Sequence, residues 1–194
     1  MKKYLPFIAL LLLFSCQGGY SPKPRGFFRI HLPEKEYVRF ETSFPYSFEY
    51  PVYGEFVSDE RPSAEPYWGD LVFPDFKGAL HLSYKRVNHP ADLAVFFEDA
   101  RSFAQKHIPK ATAITEEMIR DDERRVYGIL YEIKGAEAAS TLQFYVTDSL
   151  NHFLRGALYF NVSPNNDSLA PVIDFLEEDI RHMIGTLNWE NSLR

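Results

Sequence analysis

The chain has 194 residues, of which 45% are hydrophobic, 25% charged and 16% aromatic. This composition excludes a disordered or collagen-like chain, and together with the length it predicts one folded domain that contains a sheet. The formal net charge of −6 argues against a nucleic-acid partner, because phosphate binding depends on an excess of Lys and Arg. Cys16 is the only cysteine, so the sequence offers neither an intrachain disulfide nor a thiolate-clustered metal site.

The first residues have the pattern of a lipoprotein signal. Lys2 and Lys3 give a positive n-region, and residues 5–14 form an apolar run that is too short to span a bilayer core of ~30 Å. Residues 13–16 (LFSC) resemble the lipobox of bacterial lipoproteins, in which the cysteine becomes the acylated N-terminus. We therefore expect residues 1–15 to be a cleaved signal peptide and Cys16 to be the lipid attachment site. The alternative is a secretory signal with a chance cysteine beside the cleavage site.

The residues after Cys16 predict where the lipoprotein is sorted. Gln17 follows the expected acylated cysteine, and a residue of this kind at that position resembles the sorting signal of outer-membrane lipoproteins. No acidic run of the kind that directs export to the cell surface follows Cys16. We expect a protein that is lipid-anchored in the outer membrane and faces the periplasm.

Residues 16–36 are predicted to be the acylated cysteine and a tether rich in Pro and Gly. This tether carries cations beside aromatic rings, a combination that is frequent in binding hot spots. The candidate partner-binding residues are Lys23, Arg25, Phe27, Phe28 and Arg29. The alternative is that Phe27, Phe28 and Ile30 pack back onto the edge of their own domain.

Residues 37–194 are predicted to form a single α+β domain. Residues 44–50 alternate aromatic with other side chains, as a half-buried strand does, and residues 54–58 are its predicted partner. Residues 68–73 and 78–84 flank a short turn and predict a hairpin. Pro90 opens an amphipathic helix whose apolar residues recur at spacings of three and four and which ends before Pro109.

The second half of the chain predicts three further strands and a helix. After a weak strand at residues 114–119, residues 126–133, 141–147 and 153–161 predict an antiparallel meander. A long helix is expected to begin at Asp167 or Ser168, with Pro171 in its first turn, and to end near Trp189. We assign its acidic residues 177–179 (EED) to the solvent face.

These elements predict an α+β fold in which an antiparallel sheet is covered by two long helices, because each apolar face must be buried against another. The order of the elements resembles the Mog1/PsbP/DcrB-like sandwich. That resemblance concerns the fold and implies no function.

Catalytic and metal-binding motifs are missing from the sequence. It contains no nucleophile elbow, no phosphate loop and no zinc-protease motif, and the six histidines are not paired at helical ligand spacing. We expect His107 to be a hydrogen-bonded or partly exposed histidine on or beside the apolar stripe of the first helix, and not a metal ligand. The acids at residues 116–117 and 121–123 have Arg120, Arg124 and Arg125 among them and lack calcium-loop spacing, so we interpret them as solvated charge. We predict no enzyme activity, no cofactor and no metal site.

Longer stretches resemble a known family. Residues 21–30 (SPKPRGFFRI), 80–85 (LHLSYK), 152–161 (HFLRGALYFN) and 167–173 (DSLAPVI) are similar to the gliding-motility lipoprotein D (GldD) family of the Bacteroidota, as are residues 44–51 and 66–68. The resemblance implies a non-enzymatic component of the gliding machinery associated with the type IX secretion system, with other motility or secretion proteins, either lipoproteins or ring components, as partners. It supplies no catalytic residues.

Two functions from different classes remain compatible with the sequence. The first is an interaction subunit that binds or stabilises other motility proteins. The second is a periplasmic lipoprotein that binds a hydrophobic or aromatic small ligand between sheet and helix. The simpler interpretation of the high aromatic content is that these side chains fill the core. An open apolar pocket in the structure would favour the second function.

Overall fold

The computed structural model describes residues 30–41 and 43–190. Within these residues the strands and helices follow in the order β1 (Tyr37–Arg39), β2 (Tyr46–Ser47), β3 (Glu49–Pro51), β4 (Glu55–Ser58), β5 (Gly69–Phe73), β6 (Gly78–Arg86), α1 (Pro90–Gln105), β7 (Ala113–Asp121), β8 (Val126–Lys134), β9 (Ser140–Thr147), β10 (His152–Phe160), α2 (Asn166–Thr186) and β11 (Asn188–Trp189). Short 3₁₀ turns cover Pro74–Phe76 and Ile108–Lys110.

A seven-stranded antiparallel sheet forms the centre of the fold, in the order β4-β5-β6-β10-β9-β8-β7. The β5–β6 hairpin and the β8–β9–β10 meander are both confirmed, and the pairing of β6 with β10 joins them into one sheet. In that central pair Lys85 lies opposite Phe153 and Ser83 opposite Arg155. Two small two-stranded pairs, β1 with β3 and β2 with β11, complete the described strands.

The helices lie on opposite faces of the sheet, since successive residues of a strand point to opposite sides. The larger core lies between the sheet and α2 and includes Leu80, Phe144, Leu154, Leu158, Leu176, Ile180 and Met183. The smaller core lies under α1 and includes Ala100, Ala104, Tyr131, Tyr145 and Phe153. This arrangement confirms the predicted α+β sandwich.

Helix α1 begins where its sequence predicts. Pro90 is the first helical residue, and the ring of His89 accepts a hydrogen bond from the backbone of Ala91, 3.1 Å away. In return, the Asp92 carboxylate accepts from the His89 backbone N–H at 2.9 Å. This reciprocal cap satisfies backbone donors that a helix start leaves free.

Helix α2 begins earlier than its sequence predicts. Asn166 is its first residue and Pro171 lies inside the helix, so the expectation that Pro171 occupies the first turn is wrong. The Asn166 side-chain amide donates to the carbonyls of Gly135, at 2.7 Å, and Ala138, at 3.0 Å. These contacts with the turn before β9 stabilise a helix start that the local sequence pattern does not reveal.

The pairing predicted for residues 44–50 is also wrong. Residues 55–58 pair with β5, whereas the 44–50 segment is divided into β2 and β3. The ring of Phe48, between these two strands, is buried and stacks on Phe40 with 4.9 Å between centroids. Because β2 finds its partner at the far end of the chain, a local pattern could not identify it.

Candidate functional site

The residues predicted to attach the lipid and to bind a partner lie outside the described residues. They are Cys16, Lys23, Arg25, Phe27, Phe28 and Arg29. The described chain begins at Ile30 and reaches β1 within a few residues.

The segment before β1 is fixed to α2 through a buried carboxylate. The Asp179 side chain is 1% exposed. It accepts hydrogen bonds from Lys35 Nζ at 2.8 Å, from the Tyr37 hydroxyl at 2.9 Å and from the Tyr53 hydroxyl. Lys35 Nζ also donates to the Phe175 carbonyl at 2.7 Å and lies 4.0 Å from the centroid of that ring. We call Lys35, Tyr37, Tyr53 and Asp179 the Asp179 cluster.

The Asp179 cluster corrects the assignment of residues 177–179 to the solvent face. Glu178 is exposed as expected, but the next residue is buried. A buried carboxylate is tolerated where a cation and hydrogen-bond donors replace water, and Lys35 and the two phenols supply them. Burial and the hydrogen bond to Asp179 raise the pKa of Tyr37 to about 12. The same causes raise the pKa of Tyr53, so both hydroxyls stay protonated donors at neutral pH.

A second set of contacts extends this junction to β3. The Tyr37 ring stacks on His182 with centroids 3.7 Å apart. His182 Nε2 in turn lies 2.8 Å from a carboxylate oxygen of Glu49. Strands β1 and β3 and helix α2 therefore form one connected unit near the first described residues.

On the other face of the sheet, α1 leaves a cleft along its side. The cleft has a volume of about 300 Å³ and lies between α1 and strands β6 and β10. Aromatic side chains form its walls, namely Trp68, Phe96, Phe103 and Phe153. Its floor carries Ser83, Lys85 and Arg155, and Asp99 lines it from the helix. We call this feature the α1 cleft.

Arg155 is the most buried cation that lines the α1 cleft. Burial lowers the pKa of its guanidinium, and Nη2 donates to Gln143 Oε1 at 2.8 Å. The Gln143 amide then donates from Nε2 to His107 Nε2, 3.0 Å away. Burial, with a smaller effect of the Arg155 charge, lowers the pKa of His107. His107 is thus a hydrogen-bonded histidine, as expected, at the end of a chain that leads to Arg155.

The open part of the same face holds a carboxylate–imidazole pair. Asp70 Oδ1 lies 2.6 Å from His81 Nδ1, and both side chains are partly exposed. In the described part of the chain, no hydroxyl group is hydrogen-bonded to His81, so the pair lacks the nucleophile of a catalytic triad. The described residues also contain no group of three His, Cys, Asp or Glu side chains placed to hold a metal ion.

His152, the first residue of β10, is a buried histidine. His152 Nδ1 and the Tyr84 hydroxyl are hydrogen-bonded at 2.8 Å, and the His152 ring stacks on Trp189 with centroids 5.2 Å apart. Burial lowers the pKa of His152, the nearby Asp148 charge opposes this effect, and Arg86 adds to it. These contacts connect the large sheet to β11.

Sequence reasoning missed the two most distinctive polar groups, Asp179 and Arg155. Asp179 gives no local signal, because its partners come from the start of the domain. Arg155 gives one: it is the only residue with a permanent charge in the otherwise apolar strand HFLRGALYF. A charge within such a strand points to a specific partner or function.

The comparisons with known proteins identify a family and a likeness of fold to solved structures. No curated protein matches the chain. The solution structure of cyanobacterial PsbP (CyanoP) from Synechocystis sp. PCC 6803 is similar, with a TM-score of 0.48 and 12% sequence identity over 81% of this chain and 95% of that chain. This likeness concerns the fold alone.

Among the described residues, no helix has the length and apolar character needed to cross a membrane. The model of the family described as gliding motility lipoprotein GldD matches residues 17–189, which include the tether, both helices and the whole sheet. With a match of this extent, the chain belongs to the GldD family of gliding motility lipoproteins.

Proposed function

We propose that this protein is a non-enzymatic lipoprotein of the outer membrane that faces the periplasm and acts as an interaction or stabilising component of the gliding machinery linked to the type IX secretion system. Its partners are other motility or secretion proteins, either lipoproteins or components of a membrane ring. The observation that carries this proposal is the family match, which extends over tether and domain alike.

The proposed organisation is a signal peptide at residues 1–15, an acylated Cys16 with a tether to residue 36, and an α+β domain at residues 37–194. The Asp179 cluster supports it, because Lys35 and Tyr37 fix the start of the domain against α2. The chain between Cys16 and Lys35 extends to at most ~65 Å. The domain therefore reaches partners well away from the membrane surface while it stays attached.

The proposed docking element is the segment at residues 22–30, which contains Lys23, Arg25, Phe27, Phe28 and Arg29. To test it, residues 22–30 are replaced by a Gly/Ser stretch of equal length, with Cys16 and Lys35 retained. We expect unchanged thermal melting, fewer co-purified motility and secretion proteins after crosslinking in cells, and loss of motility or secretion. A lower melting temperature would instead show that the segment packs on its own domain. Full function with the Gly/Ser tether would eliminate the docking role.

A second candidate function, binding of an apolar small ligand between sheet and helix, is favoured by the α1 cleft. Its aromatic walls and its position between α1 and the sheet match the pocket that this function requires. The α1 cleft and the Asp179 cluster lie on opposite faces of the sheet.

A further inference from the structure

Arg155 is a cation on the floor of the α1 cleft that lacks a counter-ion. A guanidinium offers five N–H donors. Within the described residues, Nη2 donates to the neutral Gln143 side chain, and the guanidinium also has a side-chain hydrogen bond with the Tyr159 phenol. Nε is buried without a hydrogen-bond partner in this part of the chain. No carboxylate of residues 30–41 or 43–190 pairs with the guanidinium, and no carboxylate contributes to the shift of its pKa.

Arg181 shows how the same fold accommodates another partly buried guanidinium. On α2, Arg181 contacts the carboxylates of Glu117, Glu132 and Glu177 at 2.8, 2.7 and 2.9 Å. A charge that is removed from water without such partners is costly to keep. An anion from outside the chain would give Arg155 what Arg181 obtains from its own neighbours.

The side chains around Arg155 indicate the chemical character of the rest of the ligand that carries this anionic group. The Phe103 ring lies 4.5 Å from the guanidinium carbon, which holds the guanidinium against an aromatic face. Phe153 precedes Arg155 by two residues on the same face of β10, and Phe96 faces them from α1. These rings offer an apolar surface directly beside the charge.

Two further charged groups lie at the same cleft. Lys85 is opposite Phe153 in the sheet, but its ammonium is already paired with Glu65 at 3.3 Å and lies 5.2 Å from the Phe96 ring centroid. Asp99 is exposed on the helix side and repels a ligand that carries a second acid group. Arg155 is therefore the cation lining the cleft that no carboxylate of the described residues pairs with, and a single carboxylate of a ligand is sufficient to pair with it.

We propose that the α1 cleft binds a small organic anion, composed of one carboxylate that accepts hydrogen bonds from Arg155 and an aromatic or branched aliphatic body that packs between Phe96, Phe103 and Phe153. This inference rests on the second candidate function and adds the ligand class to it. Ligand pockets range from roughly 300 to 1,000 Å³. A cleft of about 300 Å³ accommodates a single ring or a short branched chain.

The test uses the mature chain, residues 16–194, with Cys16→Ser so that no acyl chain or detergent is present. Isothermal titration calorimetry compares 3-phenylpropanoate and 4-methylpentanoate with their neutral amides. We expect each carboxylate to bind at least about tenfold more tightly than its amide, because only the carboxylate forms a charge-assisted hydrogen bond. Equal affinities would overturn the anion proposal and leave apolar binding standing. Absence of binding by all four probes at millimolar concentration would overturn both, without bearing on the motility role.

Substitutions locate the binding. Arg155→Met should weaken carboxylate binding at least about tenfold and leave amide binding unchanged, whereas Arg155→Lys should retain part of the preference. Arg120→Met is the control. Arg120 lies on β7, at the edge of the sheet away from β6 and β10, and pairs with Asp122 just after that strand. Ser83→Phe places a ring on the cleft floor and should abolish binding even if Arg155→Met does not fold. Tight carboxylate binding by either folded variant would overturn the proposal.

Discussion

Lys35 Nζ and Asp179 Oδ1 are 2.8 Å apart in the fold and 144 residues apart in the sequence. Through this pair, the segment before β1 is attached to α2. The pair is asymmetric, because the Asp179 side chain is buried and that of Lys35 is 24% exposed. Loss of the cation therefore leaves a buried carboxylate with two phenolic donors and no opposite charge at close range.

Lys35→Met should lower the free energy of unfolding by about 2 kcal/mol, because removal of one partner of a buried pair leaves the other charge uncompensated. Lys110→Met is the matched control: its partner Glu137 is 74% exposed, so the change should be below about 0.5 kcal/mol. Urea unfolding measures both. Similar losses for the two variants would contradict a stabilising role of the Asp179 cluster.

The stability of the domain should fall as the pH drops from 7.5 to 5.5. Burial lowers the pKa of His152, so just below the ordinary value of 6.5 the unfolded chain binds more protons than the folded one. Protonation of His152 then favours unfolding. The stabilisation that is present above pH 6.5 is lost as the pH falls toward the lower pKa that His152 has in the folded state. His107, whose pKa burial also lowers, acts in the same direction.

Chemical unfolding at several pH values measures this dependence. His152→Gln should reduce the slope of unfolding free energy against pH, and His107→Gln should reduce it independently. The double variant should then show the sum of the two reductions, since each substitution removes one titrating imidazole. A slope that is the same in the wild type and the double variant would refute this account.

Two glycines should respond oppositely to alanine. A Cβ on Gly185 in α2 meets no atom within 4 Å, so Gly185→Ala should raise the free energy of unfolding by about 0.5–1 kcal/mol through the gain in helix propensity. A Cβ on Gly128 in β8 would lie 1.8 Å from the Tyr145 carbonyl oxygen. Gly128→Ala must displace a neighbouring strand and should cost about 3 kcal/mol. Guanidinium unfolding of both variants checks the two signs.

Cys16→Ser should abolish incorporation of labelled palmitate in cells and leave residues 1–15 attached, because the serine hydroxyl cannot take the thioether-linked lipid. Ser15→Ala is the matched control, since it keeps a small residue before the cleavage site and should preserve labelling. Immunoblotting and palmitate labelling of whole cells measure both effects. Equal labelling of the Cys16→Ser chain would remove Cys16 as the lipid attachment site.

The sequence predicts the parts of the fold that depend on neighbours in the chain. Helix α1 is recognisable because its proline, its cap and its apolar spacing all lie within residues 89–105. The meander is recognisable because each of its strands pairs with the next one along the chain. Local patterns of this kind carry their own evidence of structure.

The rest depends on partners that are remote in sequence. The burial of Asp179 requires Lys35 and Tyr37, and the division between β2 and β3 requires β11 and β1. No window of neighbouring residues contains both Asp179 and Lys35, or both β2 and β11. The α1 cleft is partly predictable from the sequence. Arg155 stands out as a charged residue in a largely apolar strand, but its contact with the Phe103 ring follows only from the fold.

The pairing of β2 with β11 also determines when this domain becomes complete. Strand β2 (residues 46–47) cannot form its pairing until residues 188–189 are available to it. Contacts between such distant segments form late, since closing a long loop costs entropy before the contact repays it. Until then the rings of Phe40, Tyr46 and Phe48 lack the C-terminal elements that cover them. A chain that lacks α2 and β11 would therefore expose these aromatic rings, and an exposed aromatic surface of this kind is prone to aggregation.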